Sequence, residues 1–301
     1  MKSDTLILVG LGAPSPETPR GCEIFLREFL GDAHVLPAPR LLRKFLAKRI
    51  SKKRSAAYSE KIAGFRRRGG RAFFEVMDSL RGRLKERLGA AGVFYGSTFG
   101  EKSVESAVKE AVDSGFGKSA VFILCHPQAC GATTLPALEK VRKAAKILRP
   151  GSYKIVDSYC ENPAYISALA RAIKKTESAD ILMSFHSVMT RQIKTYDYPA
   201  QCRATLSALQ GLLPEKRLHL TWQSAMNFGK WLEPKTEDFA LGLLRGGQRN
   251  AAVACPGFFY ECVETELEIN SDLRRKFLEA GGEKFEYVPC FGDSEAQVEI
   301  V

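Results

Sequence analysis

The stretch KIVDSYCENPAYISALARAIKKTESADILMSFH, residues 154–186, decides the fold class of this chain. Two short apolar runs, at 154–156 and 181–185, are typical of buried β-strands, and residues 164–173 between them have the apolar spacing of a helix. A strand, a helix and a second strand in this order form the repeating unit of a parallel sheet. The stretch therefore predicts an α/β fold.

The same alternation continues in both directions, and 301 residues are too many for one ordinary core. Further strands are predicted at 5–9, 91–95, 120–124, 218–222, 251–255 and 285–288. Helices are predicted at 17–30, 104–112, 135–148, 201–213, 238–244 and 260–279. We predict two doubly wound, Rossmann-like domains with parallel sheets, residues 1–150 and 151–301, that meet at the Pro150-Gly151 turn and hold a ligand cleft between them.

Composition narrows the class of protein. Hydrophobic residues make up 45% and charged residues 26%, as in soluble globular proteins. The first apolar run, residues 5–11, is too short for a signal peptide, and no run approaches the roughly 20 residues of a membrane-spanning helix. The eight cysteines form no CxxC or CxC pair, so no zinc, disulfide or iron–sulfur motif is recognisable. These features favour a cytoplasmic protein.

The positive charge is concentrated in one segment, which we call the basic segment, residues 40–71. It holds thirteen Lys or Arg and one acid, so it contributes +12 to a net charge of +11. Apolar residues repeat at helical spacing among these cations, as at Leu41, Leu42 and Phe45. Such a helix suits an anionic membrane surface or an acidic ligand, or it packs by its apolar face in solvent. Nucleic-acid binding is not expected, because the rest of the chain is near neutral and has no aromatic platform.

Two strand ends carry candidate residues, since parallel sheets bind ligands beyond the carboxyl ends of their strands. Gly10-Leu11-Gly12-Ala13-Pro14 matches half of a dinucleotide fingerprint, but Ser15 replaces the third glycine and favours a tight turn approached by a flat ligand. His186 follows the strand at 181–185 and is suited to proton transfer or metal ligation near pH 7. His126 follows the strand at 120–124 and is its competitor.

A run of acids follows the Pro256-Gly257 turn. On an α-helix, Glu261, Glu264 and Glu268 would share one face, and no cation occurs between residues 256 and 270. A bound cation or a shared proton would relieve their repulsion and raise at least one carboxyl pKa. The run therefore predicts metal or proton handling.

Together these motifs resemble the ferrochelatase family, in order and over nearly the whole chain. The resemblance is densest over residues 181–293, in Ser184-Phe185-His186-Ser187, Gln223-Ser224, Trp231-Leu232-Glu233-Pro234, Cys255-Pro256-Gly257-Phe258, Glu264-Thr265-Glu266-Leu267-Glu268 and Glu286-Tyr287-Val288-Pro289. The family inserts Fe²⁺ into a porphyrin and releases two protons in haem synthesis. The resemblance thus implies porphyrin and ferrous iron as partners and no cofactor beyond the substrate iron.

The resemblance also implies roles for single residues. His186 and Glu264 match the catalytic and metal-binding pair, and Glu268 and Glu261 match an acidic relay for protons or metal. The basic segment falls where the family has its membrane-facing lip, so peripheral membrane contact is expected. Residues expected to line the porphyrin pocket are Leu11, Tyr95, Ser224, Trp231 and Pro256.

One departure and two alternatives belong with this interpretation. Phe94 stands where the family has the arginine of an Arg-Tyr-Gly sequence, which removes a cation near the pocket. The same scaffold could load another metal into another tetrapyrrole, or bind porphyrin or haem without catalysis. Nothing in the sequence decides between protoporphyrin IX and coproporphyrin III as the substrate.

Overall fold

A computed structural model of the chain describes residues 5–89, 92–148, 152–225 and 229–301. The chain divides into two compact units, Met1–Ser158 and Tyr159–Ile300, and the last residue, Val301, is grouped with the first unit. The boundary predicted at Pro150-Gly151 lies outside the described residues. Each unit contains a parallel sheet with helices packed against it, which confirms the α/β fold class.

The sheet of the first unit is formed by four described strands: β1 (Thr5–Gly10), β2 (Gly92–Ser97), β3 (Ala120–Leu124) and β4 (Tyr153–Val156). They are parallel and lie in the order β2-β1-β3-β4. Ile7, Leu8 and Val9 are fully buried, because helices and loops cover both faces of a central parallel strand. Gly10 pairs with Ser97, so the carboxyl ends of β1 and β2 lie side by side.

Helices connect these strands. They are α1 (Pro19–Gly31), α2 (Arg40–Arg67), α3 (Phe73–Leu88), α4 (Val104–Asp113) and α5 (Gly131–Ala144), which continues into a 3₁₀ turn at Ala145–Ile147. Proline occupies the first turn of α1, and the Thr18 hydroxyl accepts a hydrogen bond from the Gly21 N–H at 3.3 Å, so the helix begins at a capped end. Helix α3 lies outside the predicted elements.

The second unit repeats the strand order of the first. Its described strands are β5 (Asp180–His186), β6 (Arg217–Gln223), β7 (Asn250–Ala254) and β8 (Lys284–Val288). They are parallel in the order β6-β5-β7-β8, with β5 in the place that β1 has in the first unit. His186 at the end of β5 pairs with Gln223 at the end of β6.

Its helices are α6 (Pro163–Lys174), α7 (Tyr198–Leu212), α8 (Thr236–Arg245), α9 (Arg274–Glu279) and α10 (Glu295–Ile300), with a 3₁₀ turn at Thr190–Lys194. The helix predicted at 260–279 is confirmed from Val263 onward, but Val263–Leu273 is a π-helix, and only α9 after it is α-helical. A π-helix bonds residue i to i+5 and is most often found at functional sites. The change of helix type alters which acids are neighbours.

The longest helix, α2, has 28 residues and contains most of the basic segment. No helix within the described ranges combines the length and the apolar character needed to cross a bilayer.

Candidate active site

The carboxyl end of β5 presents an imidazole in a fixed tautomer. Nδ1 of His186 lies 2.7 Å from the backbone carbonyl oxygen of Ser187. A carbonyl oxygen can only accept, so Nδ1 carries the proton and donates it, and in the neutral ring Nε2 keeps its lone pair. The side chain is half-buried, and its ring centroid is 6.3 Å from that of Phe258. Nε2 is therefore the atom that can accept a proton or bind a metal.

Gln223 ties this strand end to the start of the π-helix. Its side-chain Nε2 donates to the backbone carbonyl of Glu264 at 2.8 Å. Its Oε1 accepts from the Ser184 hydroxyl at 2.7 Å and from the Cys255 thiol at 3.3 Å. Gln223 is 4% exposed. The sheet edge that carries His186 and the backbone of Glu264 are thus joined through one buried amide.

Glu264 lies in the first turn of the π-helix and is half-buried. Unpaired backbone N–H groups at a helix start favour a negative charge there. Burial, followed by the charge of the Glu264 carboxylate, raises the pKa of the neighbouring Cys262 thiol well above its usual value. The backbone of Glu264 is thus anchored to Gln223 at the end of β6, the strand that pairs with β5.

Glu268 is held by a second residue from the end of β6. The Ser224 hydroxyl donates to Oε2 of Glu268 at 2.6 Å. Ser224 has a backbone φ of 62°, in the left-handed region that residues with a Cβ seldom occupy. Strained backbone of this kind occurs most often where a side chain must be held in one place. Glu264 and Glu268 are thus both held by consecutive residues, Gln223 and Ser224.

Glu261 lies before the π-helix and is bonded toward β8. Its carboxylate accepts from the Cys290 N–H at 2.7 Å, from the Tyr287 hydroxyl at 2.8 Å and from the Thr265 hydroxyl at 2.5 Å. Burial, the largest influence, raises its pKa in spite of these donors. The single α-helical face predicted for Glu261, Glu264 and Glu268 does not form, because the helix is π and begins after Glu261.

Two more residues of the second unit, Trp231 and Pro256, are predicted to line the porphyrin pocket. Trp231 is half-buried and forms an antiparallel bridge with Met189, just beyond the end of β5. Pro256 is buried after β7, and its carbonyl accepts from the Tyr165 hydroxyl at 2.7 Å. Trp231 therefore has accessible aromatic surface for a ligand, whereas Pro256 is buried and packs in the protein interior.

In the first unit, Leu11 and Tyr95 differ in what they can offer a ligand. Leu11 follows β1 and is half-buried. Tyr95 is 1% exposed, its hydroxyl donates to Asp78 at 2.8 Å, and the Lys102 ammonium lies 3.6 Å from its ring centroid. Burial, then the Asp78 hydrogen bond, raises the pKa of Tyr95. In this conformation the Tyr95 ring presents almost no surface to a ligand.

Phe94, which replaces the family arginine, is a core residue of the first unit. It is buried, and the Arg81 guanidinium lies 5.2 Å from its ring centroid. Arg81 in turn donates to Glu110 at 2.6 Å. The aromatic ring is therefore stabilised by packing and by a cation already paired with an acid.

Three other histidines have partners that give them structural roles. His219 is 2.8 Å from the Asp180 carboxylate, and His34 is 2.9 Å from that of Glu139. Burial lowers the pKa of His126 to about 4, so this ring is neutral at physiological pH. The imidazole at the end of β5 is thus distinguished from its competitor.

Within the described ranges, no group of three or more His, Cys, Asp or Glu is arranged to hold a metal ion. Gln223 belongs to one of the motifs of the sequence but has no role predicted from it. Its signal was present: a polar side chain that ends a buried strand and directly precedes Ser224. What the sequence does not show is that its amide reaches the backbone of Glu264.

Comparison with known proteins gives one family. The family model described as Ferrochelatase matches residues 3–301. A ferrochelatase of Cronobacter sakazakii is 31% identical over 318 residues, which cover 98% of this chain and 95% of the relative. A coproporphyrin III ferrochelatase of Symbiobacterium thermophilum is 30% identical over 308 residues, which cover 97% and 94%.

Two solved structures share the fold. SirB from Bacillus subtilis with Fe³⁺ has a TM-score of 0.59 at 10% identity and covers 99% of this chain and 94% of its own. The sirohydrochlorin chelatase SirB of Bacillus subtilis subspecies spizizenii in complex with cobalt has a TM-score of 0.55 at 11% identity, with 99% and 92% covered. At these identities the likeness concerns the fold alone.

Proposed function

The chain belongs to the ferrochelatase family and is an enzyme that inserts a metal ion into a porphyrin in haem synthesis, and we propose that His186 and Glu264 carry its chemistry. Porphyrin and iron are the substrates. Fe²⁺ enters as substrate, and we propose no resident cofactor beside it. The observation that carries the assignment of residues is the Gln223 amide, which joins the end of β5 to the backbone of Glu264.

His186 is proposed as the proton acceptor. A free-base porphyrin carries two inner N–H protons, and both must leave before its four nitrogens can hold Fe²⁺. Nε2 has its lone pair available because Nδ1–H is engaged with the Ser187 carbonyl. The same atom can bind iron in transit, since imidazole suits Fe²⁺ and competes weakly with a macrocycle of four nitrogens.

Glu264 is proposed to bind the incoming iron or to take up a proton, as the partner of the His186 imidazole. Its carboxyl group lies in the first turn of the π-helix and offers oxygen atoms as iron ligands. Glu268 is proposed as the next member of a proton or metal relay, with Ser224 as its donor. Glu261 keeps a predicted relay role, and its raised pKa suits holding a proton, although three donors occupy its oxygens.

In the second unit, Trp231, Ser224 and Pro256 are proposed as porphyrin-binding residues, and in the first unit Leu11 is proposed as one. A porphyrin presents a broad apolar ring, and aromatic and aliphatic side chains bind such surfaces well. Tyr95 keeps the same proposed role, which would require its ring to become more exposed than it is here.

The test is an anaerobic insertion assay with the purified chain, Fe²⁺ and porphyrin, followed by the metalloporphyrin absorbance. Wild type is expected to form product, and His186→Ala is expected to lose about 100-fold or more in kcat, because a general base is removed. Protoporphyrin IX and coproporphyrin III are run in parallel, and the higher kcat/KM identifies the substrate.

The matched control is His34→Ala, which removes a half-buried histidine of the first unit whose Nε2 lies 2.9 Å from the Glu139 carboxylate. It should keep wild-type turnover. Full activity in His186→Ala contradicts the residue assignment. Faster insertion of Co²⁺ or Ni²⁺ than of Fe²⁺ would favour the other-metal chelatase, and tight porphyrin binding without turnover would favour a carrier.

We also propose peripheral membrane contact through the basic segment, together with the cytoplasmic location expected from the sequence. The start of α2 leaves Leu41 83%, Leu42 49% and Phe45 58% exposed. Exposed lysines continue along the same helix, at Lys52 and Lys53 among others. Exposed apolar side chains beside a row of cations are typical of a helix that binds an anionic bilayer surface.

This contact can be measured by sedimentation with vesicles of phosphatidylcholine containing phosphatidylserine. Each lysine near an anionic surface contributes about 1 kcal/mol, so Lys52→Gln with Lys53→Gln should weaken binding about tenfold or more. The control is Lys174→Gln with Lys175→Gln, two exposed lysines at the end of α6 in the second unit. Equal binding by all three proteins, or binding that ignores lipid charge, contradicts the proposal.

A further inference from the structure

The geometry points to Gln223 as a positioning residue that fixes Glu264 relative to the end of β5. The inference rests on the proposed function, because it concerns the same imidazole and carboxylate. Gln223 touches neither substrate nor iron in this role. It acts through the backbone of Glu264.

The contacts of Gln223 run in three directions. Its backbone carbonyl accepts from the Ser187 N–H at 2.8 Å, which continues the pairing of β5 and β6 beyond His186. Its Oε1 is held by the Ser184 hydroxyl on β5 and the Cys255 thiol after β7. Its Nε2 is thereby directed at the Glu264 carbonyl.

Only an amide of this length satisfies all of these bonds. The acceptors and donors lie on opposite sides of the side chain, so a carboxylate would meet the Glu264 carbonyl with no proton to donate. A shorter amide would not span both sides. The group is almost fully buried, and a buried polar network of this kind restrains its members to one arrangement.

The Ser184 hydroxyl is itself held in place. It lies 2.7 Å from the Thr236 hydroxyl, and the Thr236 and Thr221 hydroxyl oxygens are 3.0 Å apart. These residues come from β5, β6 and the start of α8. The restraint on Gln223 therefore originates in the rigid sheet and not in a loop, which is the arrangement that positions reactive groups most accurately.

The consequence is kinetic. Without the bond to its carbonyl, the first turn of the π-helix can shift, and Glu264 would occupy its productive position for less of the time. Reacting groups displaced by small distances lose rate without losing ground-state binding. Porphyrin affinity should change little, because Gln223 has no exposed surface to offer a ligand.

The experiment compares Gln223→Met with wild type in the full chain, by the anaerobic Fe²⁺ insertion assay and by porphyrin fluorescence quenching. Methionine keeps the length of the side chain and removes all three of its hydrogen bonds. We expect kcat to fall about 10-fold to 100-fold, as for other residues that orient a reacting group, with porphyrin KM and Kd within about twofold. The matched control is Thr205→Val, which removes a buried hydroxyl bonded to the Cys160 carbonyl at 2.7 Å elsewhere in the second unit.

A kcat within twofold of wild type for Gln223→Met overturns the inference, and so does a rise in KM at unchanged kcat. If Thr205→Val lowers kcat as much at an equal loss of melting temperature, the effect is general destabilisation and the inference is wrong. Where Gln223→Met shows no cooperative unfolding transition, Ser184→Ala decides, since it removes the shorter of the two hydrogen bonds to Oε1 and should lower kcat severalfold; unchanged kcat overturns the inference. Failure of the proposed function is distinguished by His186→Ala, which would then keep full activity.

Discussion

The two units have the same strand order, yet the carboxyl ends of their first strands present different groups. After β1 the chain continues as Gly10-Leu11-Gly12, and the carbonyls of Gly10 and Leu11 accept from the N–H groups of Thr98 and Phe99 at 2.9 and 3.0 Å. After β5 the equivalent place holds His186, with its ring engaged by its own neighbour's carbonyl. One scaffold edge thus presents backbone, and the other presents an imidazole. The strand order therefore fixes where the carboxyl-terminal edge of each sheet lies, and the residues at that edge determine which reactions it can support.

The third strands differ in the same way, because only the third strand of the first unit is followed by a histidine. Cys125-His126 follows β3, whereas Cys255-Pro256 follows β7. His126 contacts the Thr134 hydroxyl at 3.0 Å, and its pKa is lowered to about 4 by burial. Both His126 and His186 follow a strand, so strand position alone does not identify a base. The burial and the hydrogen-bond partners of each imidazole decide which of the two can act as a base.

The sharpest way to break this comparison is to remove the carboxylate of Glu264 in the second unit. Glu264→Gln keeps the shape and the backbone bond from Gln223 but removes the charge. We expect kcat to fall about 100-fold or more, because an anionic ligand or proton acceptor is lost. The same insertion assay measures it.

Glu266→Gln is the matched control for that change. Glu266 lies two residues further along the π-helix, is half-buried, and accepts from the Asn270 amide at 2.8 Å. It should retain kcat within about twofold, since a neutral amide can replace a bond of this kind at small cost. Equal losses in both variants would mean that the helix as a whole, and not Glu264, carries the effect.

The fold was predictable because each strand is short, apolar and followed by a helix. The strand predicted at 120–124 coincides with β3, and that at 181–185 differs from β5 by one residue at each end. Helix α3 was missed although Val76, Leu80 and Leu84 recur at helical spacing and are buried. The type of helix at Val263–Leu273 was not predictable, because one extra residue per turn leaves no distinct apolar pattern.

The site was predictable only in part. The position of His186 at a strand end follows from the pattern, and its tautomer does not, because the partner is a backbone carbonyl. The separation of Glu261 from the other two acids depends on the π-helix and on Tyr287 and Cys290 from a later strand. Contacts between residues far apart in sequence leave no mark in a local pattern, so Gln223 could be quoted but not interpreted.

The turn after β1 in the first unit, which contains Gly12, can be tested by measuring the free energy of unfolding of glycine variants. Gly12 has a φ of +98°, and a Cβ built there would lie 2.0 Å from the Phe99 carbonyl oxygen. Gly69 also has a positive φ, +86°, but a Cβ there would meet nothing within 4 Å. Gly12→Ala should therefore lower the free energy of unfolding by about 2 kcal/mol more than Gly69→Ala, which bears only the backbone strain of about 1 kcal/mol. Denaturant unfolding of both variants measures the difference. Equal losses of unfolding free energy would show that the backbone around Gly12 can move away from Phe99 at little cost.

The last expected effect depends on pH and concerns the contribution of His126 to the stability of the first unit in acid. Its pKa is about 4 in the folded chain, lowered by burial from an ordinary 6.5. Between these values the unfolded chain binds the proton and the folded chain does not, so the free energy of unfolding falls as the pH falls from about 6.5 toward 4. The loss approaches about 1.4 kcal/mol for each unit of pKa difference, as an upper bound because part of the ring is solvent-accessible.

Urea unfolding of wild type and His126→Gln across pH 7 to 4.5 isolates this contribution, since glutamine does not titrate. The difference between the two proteins should favour wild type most at pH 7 and shrink as the pH falls; a difference independent of pH would show that His126 is protonated equally in both states, and the contrast between the two strand-end histidines would lose its electrostatic basis.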